Sequence, residues 1–205
     1  MYGYSMDPGK SAKAYLVWSG LKGKGGRMQE IDRLLQGILY QAGLIQRPGM
    51  PKQKEPKFCF DDALSIAAYQ CFMGNHDAAI EYLKKAFVTI PDTGKRPLFP
   101  WYQMVELCEW FFDHSGDKRY IDLALKWSQD YQVIQPMFGW AFAFEAKYST
   151  MEDKKRRALG YTLYLGPQSM RISQFTESEK QQGREWFEAH NPFKKGILSR
   201  TANAK

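Results

Sequence analysis

A chain of 205 residues with 44% hydrophobic and 15% aromatic side chains is long enough to bury a sizeable core and lies outside the composition of disordered chains. No apolar run approaches the roughly 18 residues of a spanning helix, and no charged start, apolar stretch and small-residue cleavage site marks a secretory signal. The net charge of +7 is unevenly spread: residues 1–57 carry ten Lys/Arg against four Asp/Glu (+6), residues 58–153 eight against fourteen (−6), and residues 154–205 eleven against four (+7).

The chain opens with "GYSMDPGKS" (3–11), which nearly reads as a phosphate-binding loop. That loop needs four residues between its first glycine and the Gly-Lys pair, so that consecutive backbone N–H groups curl around phosphate. Five separate Gly3 from Gly9, and Pro8 removes a donor where one is needed. With no strand ahead of it, the segment is read as a chain terminus leading into a helix.

Helical periodicity dominates the rest, and strand signals are weak. A short helix over 12–21 ends at the "KGKGG" break (22–26). From Met28, the positions Ile31, Leu34, Leu35, Ile38, Leu39 and Ala42 form one apolar face that stops at Gly43. These helices make a basic N-terminal hairpin (1–44). The Pro- and Lys-rich 45–57 reads as a linker or exposed loop before a helical domain over 58–193.

Within "DDALSIAAYQCFMGNHDAAIEYLKKAFVTIP" (61–91) two helices flank "GNHD", and Ala79, Ile80, Leu83, Ala86, Phe87 and Ile90 share a face that Pro91 ends. Residues 101–136 repeat the plan, with Gly116 at the turn where Gly74 stood before. A third hairpin spans 137–165, turning at 149–153. Its Phe138, Trp140, Phe142 and Phe144 alternate too closely to share one helical face, so some must meet a neighbouring helix or a partner. Thr176 and Glu179 have capping-box spacing for a last helix to about His190, and 194–205 reads as a basic, frayed tail.

The 61–91 segment resembles a tetratricopeptide repeat, a pair of antiparallel helices of about 34 residues. Ile66 and Ala67 match the large-then-small pair of its first helix, and Gly74 the turn. Ala79, Leu83 and Ala86 match the small, large and small positions of its second helix, and Pro91 the closing proline. Ala63 and Gln70 depart from the common tryptophan and tyrosine. In 101–136 the positions equivalent to Ala79, Leu83 and Ala86 are Ile121, Leu125 and Ser128, so only the middle one keeps its character. The resemblance implies an all-α fold, antiparallel helical hairpins stacked as a short superhelix with a C-terminal capping helix.

It also implies that the first helix of each pair lines a concave groove for a partner segment. That would place Asp61, Leu64, Ala68, Cys71 and Phe72 in the groove, followed by Glu106, Trp110, Asp113 and His114 from the next hairpin. Leu64 and Ala68 cannot supply the Lys and Asn that clamp a C-terminal carboxylate in some family members. Trp110 flanked by carboxylates suits a basic protein or peptide partner, in keeping with the acidic centre. The alternative for these aromatic residues is core packing.

The resemblance thus leads to a protein-interaction scaffold or adaptor. The unabsorbed aromatic surface also makes self-association an expectation. The second functional expectation is RNA binding through Lys22, Lys24, Arg27 and the "KKRR" run Lys154, Lys155, Arg156 and Arg157, with Tyr161 and Tyr164 at hand for stacking. Its alternative is a solvated charged face, with Glu152 and Asp153 offsetting positive charge at a helix start.

Cys59, Cys71 and Cys108, odd in number and without CxxC spacing, read as free thiols of a reducing, cytoplasmic setting. His76, His114 and His190 show no metal-ligand spacing, and no nucleophile elbow or catalytic dyad is present. No enzyme, cofactor, metal or membrane association is expected.

Overall fold

The computed structural model describes residues 13–23, 28–55, 59–88, 98–134, 136, 139–165 and 170–191. The phosphate-loop-like segment 3–11, Pro91, Phe138 and the tail 194–205 lie outside the described residues. Among the described residues there are nine α-helices and no strand: α1 Lys13–Leu21, α2 Met28–Gln41, α3 Phe60–Phe72, α4 His76–Val88, α5 Leu98–Ser115, α6 Arg119–Ile134, α7 Gly139–Tyr148, α8 Glu152–Leu165 and α9 Glu177–His190. A short 3-10 helix, Met170–Gln174, precedes α9 and was not anticipated. The all-helical class and the helix order follow the periodicity reading.

The chain forms two compact units, residues 1–121 and 122–205, with the division inside α6. In the first unit, α3 is the central helix. Residues 62–68 are buried without interruption, because α1, α2, α4 and α5 all pack on it. The small residues Ala63, Ala67 and Ala68 permit this crowding, and Ala79, Leu83 and Ala86 of α4 are fully buried against it. Where α1 meets α2, a Cβ at Gly20 would lie 2.6 Å from two side-chain carbons of Ile31. Residues 45–55 form turns rather than helix. Tyr40 of α2 donates its hydroxyl to the Pro51 carbonyl, and Gln46 Nε2 donates to the Met50 carbonyl at 2.8 Å.

Gly74 and Gly116 turn the chain with φ of +81° and +73°, a left-handed conformation that glycine adopts without a Cβ clash. Their neighbours meet in register. Phe72 and His114, each two residues before its glycine, stack at 5.5 Å and 9°; Asp77 and Arg119, each three residues after, form an ion pair. Arg119 also binds Asp117 through Nε and Nη2, which holds the Asp117 carboxyl below its usual range.

In the second unit α7 is central, with every residue from Gly139 to Ala146 buried. That resolves its alternating aromatic residues: Trp140, Phe142 and Phe144 all pack inside, on different sides of one enclosed helix. Phe142 stacks on Tyr161 of α8 at 4.9 Å, and Trp140 meets Tyr131 of α6 at 5.2 Å. The capping box forms as its spacing implies, with the Thr176 hydroxyl accepting from the Glu179 N–H and the Glu179 carboxylate accepting from the Thr176 N–H.

Helices α8 and α9 touch backbone to backbone at Gly160 and Gly183. A Cβ on Gly160 would sit 2.6 Å from the Gly183 carbonyl oxygen and 3.1 Å from Phe187 Cβ. Gly160→Ala is therefore expected to lower stability by about 1–3 kcal/mol, since a backbone contact cannot move aside as a side chain can. Gly37→Ala in α2, where a Cβ meets nothing within 4 Å, should instead raise stability by about 0.5–1 kcal/mol through helix propensity. Urea denaturation of the two variants checks both signs.

Candidate functional site

Helix α5 carries the first candidate surface. Trp101, Met104, Cys108 and Phe111 recur at helical spacing and are fully buried. Glu106 and Trp110, both half-buried, and Asp113, exposed, lie on the opposite side at i, i+4 and i+7. Glu106, Trp110 and Asp113 therefore share one helix face, and Tyr102, one turn earlier, extends it. Phe111 belongs to the core, whereas Phe112 is half-buried.

The positions expected from α3 behave differently. Leu64 and Ala68 are fully buried and pack in the core, so neither lines an open groove. Cys71 is also buried, whereas Asp61 and Phe72 keep partial exposure at the two ends of the helix. The expectation of a continuous open groove along α3 is corrected accordingly: α1 packs on α3, and neighbouring helices enclose its middle.

The structure joins Phe72 and His114 in a ring cluster that the sequence reading did not foresee. Trp18 of α1 meets Phe72 edge-on at 6.5 Å, Phe111 at 5.0 Å and His114 edge-on at 5.3 Å. Lys22 lies 4.9 Å over the Trp18 ring, a cation–π placement. Burial, then the nearby charges of Lys22 and His76, holds His114 below its ordinary value, so the ring favours its neutral form in this cluster. The sequence signal for Trp18 was the spacing Ala14, Val17, Trp18, Leu21, which places one apolar stripe on α1.

Below this cluster, Tyr120 meets Phe111 edge-on at 5.4 Å and shares a 3.0 Å hydrogen bond with His76 Nδ1. Burial pushes the Cys71 thiol up to about 11, despite its hydrogen bond with Tyr120, and pushes Cys108 higher still. Both thiols are therefore protonated and unsuited to nucleophilic attack at neutral pH. Cys59 is exposed just before α3, where its N–H donates to the Asp62 carboxylate at 3.2 Å. Among the described residues no group of three or more His, Cys, Asp or Glu could hold a metal ion, and no helix is long and apolar enough to cross a membrane.

The basic run at the start of α8 is largely engaged within the second unit. Arg157 Nη2 lies 3.1 Å from the carboxylate of Glu145, a buried residue of α7 that also accepts from Gln132 at 3.0 Å and Gln129 at 3.2 Å. Lys155 pairs with Glu179 at 2.9 Å, and Arg156 approaches Glu152 at 3.9 Å. Lys154 is exposed. Tyr161 is wedged among Phe142, Trp186 and Phe187, while Tyr164 stays half-exposed with one face on Phe187. Of the N-terminal cations, Lys22 sits on Trp18; Lys24 and Arg27 lie outside the described residues.

These pairs have measurable consequences. Arg157→Met leaves the Glu145 carboxylate buried with only glutamine amides, an expected loss of roughly 2–4 kcal/mol. Adding Glu145→Met should recover part of that loss in denaturation, because no carboxylate is then buried at that position. Backbone and side-chain hydrogen bonds from Thr176, together with Lys155, pull the Glu179 carboxyl down to about 2. Its unfolded value is about 4.3, so its stabilisation is complete above that pH and is lost as pH falls toward 2. Glu179→Gln should flatten the decline in stability between pH 5 and 2. The chain matches no protein-family model, no curated protein and no solved structure, leaving side-chain chemistry and geometry as the grounds for a functional assignment.

Proposed function

We propose that this chain is a protein-interaction scaffold or adaptor, built from helical hairpins in the manner of a tetratricopeptide-repeat array, that takes a basic partner segment on the partly exposed face of α5. The observation that carries this reading is the alignment of Glu106, Trp110 and Asp113 on one face, opposite the buried stripe of the same helix. An indole offers apolar area and a cation-attracting ring face, and flanking carboxylates pair with Lys or Arg. The in-register meeting of Phe72 with His114 and of Asp77 with Arg119 supports the repeat-like arrangement, because stacked hairpins bring equivalent positions together. The negative charge of residues 58–153 supports the choice of a basic partner.

RNA binding by the basic ends has less support, since Lys155 and Arg157 are engaged by Glu179 and Glu145. Capture of partners from native lysate, with and without nuclease, using wild-type and Trp110→Ala chains, separates the two. Protein partners that survive nuclease and fall at least ten-fold with Trp110→Ala are expected. Material removed by nuclease regardless of residue 110 would transfer the function to the basic ends.

A further inference from the structure

We propose that the seam between α3 and α5 is a docking groove for an amphipathic helix with an indole anchor, and that α1 is its resident occupant within the chain. This deepens the interaction reading and rests on it, adding a second recognition surface beside the α5 stripe. Trp18 touches rings from both walls of the seam, Phe72 on one side and Phe111 with His114 on the other. The walls also meet without α1, through the Phe72–His114 stack.

The seated face of α1 follows the spacing of a helix lying in a groove. Ala14, Val17 and Trp18 are buried at i, i+3 and i+4, while Leu16 points outward at 47% exposure. Lys22, one turn beyond the anchor, lies over the indole at the exposed rim. The fitting partner is therefore a helical segment with apolar residues four and one positions before a Trp and a basic residue four positions after it. The basic residue suits the acidic character of residues 58–153.

Helix α1 owes its conformation to this docking. It has nine residues, no acidic residue in its first turn and no basic residue in its last, and Val17, Trp18, Ser19 and Gly20 stand consecutively within it. Isolated helices of this length are unstable in water, and these four residues are weak helix formers. A helix that depends on its groove can be replaced by a competing helix that fits the same walls.

The probe is a fluorescein-labelled peptide of residues 11–23, followed by anisotropy against the full chain. The Trp18→Ala chain, with its own occupant weakened, should bind this peptide at least ten-fold tighter than the wild-type chain does. The peptide carrying Trp18→Ala should bind neither. A folded Trp18→Ala chain that ignores the wild-type peptide overturns the proposal.

If that variant does not fold, hydrogen exchange on the 15N-labelled wild-type chain decides. Excess unlabelled peptide should speed exchange of the chain's own α1 amides several-fold and leave α3 unchanged; no acceleration overturns the proposal. Both readouts use only the chain and its own peptide. A failed exchange therefore leaves Trp110-dependent capture standing, and a failed capture leaves the exchange standing.

Discussion

The turns at Gly74 and Gly116 constrain the first unit more than any other feature. Both use a left-handed backbone in which a side chain would be strained, and both end a helix whose second-to-last residue before the glycine is a ring. Because those ends lie side by side, Phe72 stacks on His114 and Arg119 reaches Asp77. The stack then presents edges and faces to which Trp18 can dock, and Trp18 draws in α1. The aromatic cluster is thus a consequence of turn geometry as much as of hydrophobic content.

In the second unit the governing constraint is a buried carboxylate. Glu145 stands in an enclosed helix, where an unpaired charge would be costly. Two glutamine amides and Arg157 satisfy it, and this ties α6, α7 and α8 together. The same demand explains why a dense run of cations can open α8. Arg157 neutralises the core acid and Lys155 crosses to the cap of α9, so much of the positive charge is spent on folding. A linear count of basic residues overstates the surface open to phosphate.

The proposed binding stripe and part of the core share the single helix α5. Its buried stripe makes the helix part of the core, and that anchoring holds Trp110 and its acidic neighbours in fixed relation on the other side. His114 lies beside this stripe and also belongs to the ring cluster around Trp18. A partner engaging one surface would therefore touch residues next to the other, which gives α1 a natural place in any competition for binding.

Much of the helical plan was legible in sequence, because it rests on local physics. Apolar spacing marked the α2 and α4 faces, Gly74 and Gly116 marked turns, and Thr176 with Glu179 marked the start of α9. The stripe Glu106, Trp110, Asp113 was equally legible, since residues at i, i+4 and i+7 share a face whatever surrounds the helix. Which faces remain open is a different matter, decided by contacts between residues far apart in the chain. Leu64 and Ala68 looked like groove positions until neighbouring helices enclosed α3, and Trp18 looked like part of a separate hairpin. Arg157 looked solvated because its partner Glu145 is twelve residues away, on another helix. Periodicity determined the helices and their faces; only tertiary packing determined what each face meets, because burial and ion pairing depend on distances that linear spacing does not encode.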